Sequence, residues 1–488
     1  MNPTTRPLSV SVIGQCLVGG VLAVLAIWFW QLQSTTWPSV THAHGAHAIA
    51  AALSIAFVAL LTRSVWPRRT QTHLTKAVTG RAVWHVFHAS QTGFAFELAE
   101  QTVQMLTRAG HTARLNALDA FDPETVADAR CLFVVSTTGE GDPPDPALAF
   151  VSRVMRHRAS LQGVEYGLLA LGDRSYAHYC AFGHDLDKWL SDSGALPMFD
   201  LIEVDNAAPS TLHAWQAQVA ALTGAKDNSA FERVPFTDFR LTSRALLNPG
   251  SAGGAVFALA LKSEGAQAQW RAGDIAEVQT YRQDGEPGPH REYSIASVAE
   301  EGQLSLLVRL MHDANGRPGL GSGWLCQFSQ PGDTLSLRIR SNPNFHTPAG
   351  DVPLILIGNG TGIAGLRAHL KARIDAGHTR HWLLFGERNA AHDRFYEADI
   401  TRWHAAEKIT HLDRIFSRDA DSPHRYVQEA LAEHADRLQR WIDAGAVIMV
   451  CGSQAGMAPG VDAVLRDALG DDRVDQLLAE GRYRRDVY

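Results

Sequence analysis

Between Arg6 and Arg63 the chain runs for 56 residues without an Asp, Glu, Lys or Arg, and two apolar blocks lie inside that stretch. The first, Val10 to Leu32, includes VIGQCLVGGVLAVLAIWFW and is long enough to cross a hydrocarbon core of ~30 Å. The second, His47 to Leu61, is shorter and rich in Ala. Trp28, Trp30, Trp37 and Trp66 fall at interfacial positions, and Arg6, Arg63, Arg68, Arg69, Lys76 and Arg81 flank the blocks. The pattern predicts a transmembrane helical hairpin over residues 1–66, with both ends in the cytoplasm. The chain would then sit in a bacterial-type inner (plasma) membrane, its soluble domains on the cytoplasmic side. A cleaved signal peptide is the rival reading of the first block, which is longer than an h-region and is followed by no small-residue cleavage site. His42, His44 and His47 in the connecting loop form an uncharged polar loop or, alternatively, a metal or haem site.

Residues 67–80 are polar, basic and aperiodic, as a tether would be. From 81 to 224, β-rich apolar runs (AVWHVFH, CLFVVST, YGLLALG, FDLIEVD) alternate with helical patterns such as FAFELAEQTVQMLTRAG. That order predicts a doubly wound parallel sheet covered by helices. Residues 225–234 read as a linker. Over 235–347, alternating runs such as AVFALAL, DIAEVQT, LSLLVRL and DTLSLRI suggest an antiparallel barrel. From 348 to 488, β/α alternation returns in PLILIG, RHWLLFG, ITHLDRIF and AVIMVCG. The predicted fold class is α/β plus β-barrel, behind a membrane hairpin.

Composition narrows this further. The chain has 45% hydrophobic and 19% charged residues, which excludes a disordered chain and a multi-span transporter. A net charge of −7 carries no basic excess, so nucleic acid is not expected as a partner. Cys16, Cys131, Cys180, Cys326 and Cys451 lie far apart with no CxxC pair. No disulfide framework and no metal site are expected. Between Glu97 and Asp205 there are 17 acidic and 8 basic residues. This is either a docking face for a basic redox partner or ordinary solubilising charge.

Three loops carry candidate chemistry. AVWHVFH runs through Ala89-Ser90-Gln91-Thr92-Gly93-Phe94-Ala95 into a helix. A hydroxyl- and glycine-bearing loop at a helix N-terminus is an anion cradle. The stretches 136–144 and 171–176 also follow strands, at the carboxyl ends where an open α/β sheet binds ligands. Here the sequence resembles the flavodoxin-like FMN domain of diflavin reductases, most specifically in ALGDRSYAHYCAFGHDLDKWLSDSGA. The resemblance implies that Ser90, Gln91, Thr92, Gly93 and Ala95 hold the FMN phosphate. It also implies that Ser136, Thr137, Thr138, Gly139, Gly141, Leu171, Gly172 and Asp173 flank the flavin ring, with Tyr176 and Tyr179 stacking on it. Position 138, often Tyr in the family, is Thr.

Arg291-Glu292-Tyr293-Ser294-Ile295-Ala296-Ser297 matches the RxYSxxS element of the ferredoxin–NADP reductase family. In such an element a cation meets a phosphate, a ring meets the isoalloxazine face and a hydroxyl sits near the hydride-accepting nitrogen. Gly319, Gly321 and Ser322 resemble the element that cradles the FAD pyrophosphate. GNGTGIAGLR, with Gly360, Thr361 and Gly362, and FGER, with Arg388, resemble the NADPH domain's paired motifs. The family's proline is Gly365 here. Ser417, Arg418, Arg425, Tyr426 and Gln428 resemble the SR…KxYVQ pattern that holds the 2′-phosphate of NADPH, with one extra residue in the spacing. Cys451 resembles the cysteine beside the nicotinamide, and the chain ends on Tyr488, an aromatic that in this family covers the flavin.

The resemblance spans residues 81–488 and lies nearest the flavoprotein subunit of sulfite reductase and the NADPH–cytochrome reductases. It implies an NADPH-dependent diflavin oxidoreductase with FMN, FAD and NADPH as cofactors. Electrons would pass from NADPH to FAD to FMN to a haem, iron–sulfur or other redox acceptor, a membrane protein among the candidates. Ser294, Cys451, Asp486 and Tyr488 form the expected hydride-transfer set. The large relatives' connecting domain is essentially absent, since only twelve residues separate Val278 from Arg291. A ferric or free-flavin reductase without a protein partner, or a membrane flavin-binding sensor or scaffold, are the alternatives.

Overall fold

The computed structural model describes residues 83–488, except 139–140, 158, 175–176, 206, 225–234, 266, 282–285, 287 and 314. The hairpin, the histidine loop, the tether, the linker, Gly139 and Tyr176 therefore lie outside the described residues. The expectation of a transmembrane hairpin is corrected to an unsupported one: among the described residues no helix is long and apolar enough to cross a membrane. The inner-membrane placement rested on that hairpin and falls with it. The length of a charge-free run is a necessary condition for a span, not a sufficient one.

The described chain builds three sheets. The first comprises β1 (Trp84–Ala89), β2 (Ala113–Ala117), β3 (Arg130–Ser136), β4 (Glu165–Gly172), β5 (Leu196–Pro197) and β6 (Ile202–Asp205). Its order is β2-β1-β3-β4-β5 with β6 on β4, every pairing parallel. The central strands are apolar on both faces, as strands covered by helices on both sides must be. One covering helix, Phe94–Arg108, buries Ala95, Leu98, Ala99, Thr102, Met105 and Leu106, the stripe expected of period 3.6. Full burial of each Leu or Met there stabilises by roughly 1.5–3 kcal/mol. Chain order reverses between β1 and β3, so their two carboxyl-end loops open a crevice, the ligand position in this topology.

The second sheet is antiparallel, in the order β10-β9-β12-β7-β8-β11. Its strands are β7 (Thr237–Leu246), β8 (Val256–Ser263), β9 (Ile275–Val278), β10 (Arg291–Ser294), β11 (Leu304–Arg309) and β12 (Thr334–Arg340). A bridge from Ile295 to Leu306 joins its two edges, bending the sheet into a barrel around Phe239, Leu241, Leu259, Ile295, Leu306 and Leu337. The third sheet is parallel, with the order β15-β14-β13-β16-β17. It holds β13 (Leu354–Asn359), β14 (His381–Glu387), β15 (His411–Phe416), β16 (Val447–Gly452) and β17 (Tyr483–Val487). Its direction reverses between β13 and β16, which places the glycine loop after β13 and the loop after β16 side by side.

Candidate functional site

The barrel and the third sheet share a cavity of about 940 Å³. Its walls bring together Arg291, Tyr293 and Ser294 from β10; Gly319, Gly321 and Ser322; Gly360 and Thr361; Arg388; Ser417, Arg425, Tyr426 and Gln428; and Tyr488. These motifs are spread over almost 200 residues of sequence. Gly321 must be glycine, because a Cβ there would lie 2.7 Å from Arg291 Cγ and 2.9 Å from the Tyr293 hydroxyl. Gly362 turns the loop under β16, where a Cβ would sit 2.1 Å from the Cys451 carbonyl oxygen. The Ser322 hydroxyl accepts from the Met311 N–H at 3.1 Å and ties the glycine segment to the barrel.

β17 pairs in parallel with β16, in a register that sets Asp486 opposite Cys451. The Ser294 hydroxyl donates to Asp486 Oδ2 at 2.8 Å, and the Cys451 thiol lies 3.7 Å from the same oxygen. Asp486 is buried. Burial raises its pKa against the opposing hydrogen bonds from Ser294 and Cys451. Burial also pushes the Cys451 thiol well up, with Asp486 adding to the effect. Cys451 is therefore a neutral packing thiol at this site and not a nucleophile. Tyr488 lines the cavity, its hydroxyl 3.3 Å from Thr361 Oγ1 and also engaged with Ser294 and Cys451. Its backbone is anchored by the N–H donating to the Gly452 carbonyl at 3.0 Å. The tail is thus held firmly at its main chain and more lightly through the Tyr488 hydroxyl.

At the far end of the cavity the Arg425 guanidinium donates to the Ser417 carbonyl at 2.8 Å. Arg418 is exposed and does not line the cavity, though its N–H donates to the Arg388 carbonyl at 2.8 Å. Of the two arginines expected at a 2′-phosphate, Arg425 is the one in the cavity wall. Arg425→Ala should raise the KM for NADPH about five-fold, the effect of losing an exposed ion pair, and leave NADH kinetics unchanged. Arg418→Ala should do neither. Steady-state kinetics with both nucleotides checks this, and a larger loss in the Arg418 variant would reverse the assignment.

Arg309 and Glu387 were not foreseen, yet they form an ion pair in the cavity wall. Burial raises the Glu387 pKa while Arg309 opposes the rise. The one available signal was an arginine closing the apolar run LSLLVR. Asn359 was also missed: its side-chain oxygen accepts from the Ser453 N–H at 2.9 Å and joins the two loops.

The second site lies in the first sheet. Gly93 caps the helix Phe94–Arg108 with φ 87°, a left-handed conformation that favours glycine. The Ser90 hydroxyl accepts from the Ala95 N–H at 3.1 Å and closes the loop. Gly141, at φ 127°, turns the loop after β3, and Leu171, Gly172 and Asp173 end β4. The hydroxyls of Thr137 and Thr138 are buried without a hydrogen-bond partner. Orphaned buried hydroxyls are costly, and in this crevice they fit the polar edge of a flavin. Tyr179 packs beneath the Arg174 guanidinium, 4.9 Å from its ring centre, and burial pushes its hydroxyl up to about 12. The Gln91 side chain reaches across to the loop after β3, its amide donating to Asp145 and to the Arg485 carbonyl.

Comparison with known proteins agrees with this geometry. Residues 86–215 match the family model "Flavodoxin" and 356–463 match "Oxidoreductase NAD-binding domain". The sulfite reductase [NADPH] flavoprotein alpha-component of Thiocapsa roseopersicina is 30% identical over 441 residues, 78% of this chain and 82% of the relative. The same component of Cronobacter sakazakii is 26% identical over 550 residues, 85% of this chain and 91% of the relative. That of Bacillus subtilis is 24% identical over 537 residues, 83% and 89% of the two chains. An alignment of 550 positions exceeds the whole 488-residue chain, so the Cronobacter relative carries long insertions that this chain lacks.

Proposed function

The chain belongs to the diflavin reductase family that includes the flavoprotein components of NADPH–sulfite reductase, and from that premise we propose that it relays electrons to a haem or iron–sulfur protein. It is an NADPH-dependent flavoprotein oxidoreductase with FMN, FAD and NADPH as cofactors. When bound, the flavins supply the redox chemistry, taking two electrons as hydride from NADPH and releasing them singly.

The residues of this chain position that chemistry. Tyr293 and Arg291 would hold the FAD ring and phosphate, and Gly319, Gly321 and Ser322 the pyrophosphate. Gly360, Thr361 and Gly362 would approach the NADPH pyrophosphate, and Arg425 its 2′-phosphate. Ser294, Cys451 and Asp486 would surround the reacting atoms. Ser90, Thr92, Gly93 and Ala95 would hold the FMN phosphate.

What supports a relay over a single-flavin reductase is the position of β17. Asp486 holds the hydroxyl of Ser294 in the cavity wall, while Arg485, one residue earlier, touches the loop that follows β3 in the first sheet. An alpha-component implies a second component, and the acidic FMN domain suits a basic haem partner.

The test is selective removal of FMN. The intact protein should release one FMN and one FAD per chain on denaturation. After FMN is stripped, NADPH should still reduce ferricyanide, whereas reduction of a haem protein should be lost and return on adding FMN. Undiminished haem-protein reduction by the stripped enzyme would place the exit at FAD and sink the relay.

A further inference from the structure

Alternation along a strand sends neighbouring side chains to opposite faces. In β17, Asp486 is directed to Ser294 and Cys451, and Arg485 to the other face, over the ring of Tyr483 at 5.5 Å. There Arg485 meets the flavodoxin-like domain. Its Nε donates to Asp145 Oδ2 at 2.7 Å and its Nη2 to Asp145 Oδ1. The pair is bidentate, the geometry that gives Arg–carboxylate contacts direction as well as strength. Its side chains are only 21% and 15% exposed, so salt screens it weakly.

Gln91 completes the contact. Its amide donates to Asp145 Oδ2 at 3.1 Å and to the Arg485 carbonyl at 3.3 Å, and its oxygen accepts from the Asp145 N–H at 2.9 Å. A second strip of the barrel module lies against the same loop. Asn344 donates to the Ser90 carbonyl, and the Ser341 carbonyl comes within 2.3 Å of where a Gly93 Cβ would be.

We propose that Arg485 is an interdomain positioning residue, whose pairing with Asp145 docks the FMN loops onto the strand that carries the hydride-transfer carboxylate. The inference rests on the relay reading. Domain interfaces within one chain resemble transient protein interfaces, so a few directional contacts set how long the docked form lasts. Both loops of the FMN crevice are engaged when the clasp is closed. The clasp therefore favours electron passage within the chain over contact with an outside acceptor.

The experiment follows anaerobic reduction of the holoenzyme by NADPH, resolving the FAD and FMN phases in stopped flow. In Arg485→Ala and Asp145→Asn the FAD phase should keep its rate. The FMN phase should slow about ten-fold, the effect of removing one partner of a half-buried charge pair. The double variant Arg485→Asp/Asp145→Arg should recover most of the loss, and small-angle scattering should show the single variants expanded and the double variant compact. An unchanged FMN phase in both single variants would overturn the proposal. So would slowing of both phases together, or no recovery in the double variant, since a residue that merely stabilises the fold would behave that way. Failure of the relay reading itself looks different: wild-type FMN would not be reduced by NADPH at all.

Discussion

Replacing Asp486 by Asn should slow hydride transfer from NADPH about a hundred-fold, the usual effect of removing one preorganised electrostatic group from a reaction centre. The substitution keeps the shape of the side chain and changes its chemistry at one place. Asp486 Oδ2 accepts from Ser294 at 2.8 Å and faces the Cys451 thiol at 3.7 Å. An amide offers one neutral acceptor where the carboxylate offers two charged ones, so the hydrogen bond from Ser294 loses its charge assistance and the hydroxyl is held less firmly. The loss of charge adds to this. As hydride leaves NADPH the nicotinamide ring becomes positive, and a buried carboxylate beside it stabilises that charge most where water is excluded. The ring is bound before this charge develops, so NADPH affinity and flavin content should stay within about two-fold of wild type, the pattern of an interaction made only in the transition state. Stopped-flow reduction of the FAD, fitted against NADPH concentration, separates the two quantities. A limiting rate within three-fold of wild type would remove Asp486 from the hydride-transfer set.

Much of this site could be read from the chain, and the reasons differ from motif to motif. The loop after β1 is legible because an anion cradle needs small, hydroxyl-bearing residues in immediate succession at a helix start, and all of them are local. The glycine loop after β13 is legible for the same reason. β2 was not, because its ARLNA is an edge strand with no fully buried residue, and shows neither alternation nor an apolar run. β7, TDFRLTSRAL, buries only Phe239 and Leu241 fully and reads as polar. β17 was recognised as a chain-end motif and not as a strand, since YRRDV carries three charges in five residues. Its charges are accounted for only in three dimensions: Asp486 meets residues 192 and 35 positions away, and Arg485 a carboxylate 340 positions away. No local pattern encodes such a contact. The same limit bears on the 2′-phosphate pattern: spacing along the sequence offers Arg418 and Arg425 alike, and only in three dimensions does Arg425 line the cavity while Arg418 is exposed outside its wall.

Deleting Tyr488 should tighten nicotinamide binding about a hundred-fold, because ring burial of roughly 2 kcal/mol and stacking of ~0.5–1.5 kcal/mol no longer oppose it. The ring lines the cavity, its hydroxyl 3.3 Å from Thr361 Oγ1 and also engaged with Ser294 and Cys451. Its main chain is held more firmly, by the N–H to Gly452 at 3.0 Å and by the Gln454 N–H donating to its carbonyl at 3.1 Å. This is the build of a gate: the backbone stays while the side chain swings. A nicotinamide ring that must displace Tyr488 gives up part of its own stacking energy in doing so. NADPH tolerates that cost through its 2′-phosphate on Arg425, and NADH has no 2′-phosphate with which to do the same. Without Tyr488 the nicotinamide of either nucleotide lies on the flavin unopposed. Turnover with NADPH should fall, because the oxidised nucleotide leaves slowly, and turnover with NADH should rise. Discrimination between the two therefore narrows from both sides, which loss of stability alone would not produce. The check is steady-state turnover with each nucleotide, together with the dissociation rate of NADP+ from the variant. If discrimination and release are both unchanged, the Tyr488 ring does not cover the flavin, and nicotinamide entry is controlled elsewhere in the cavity.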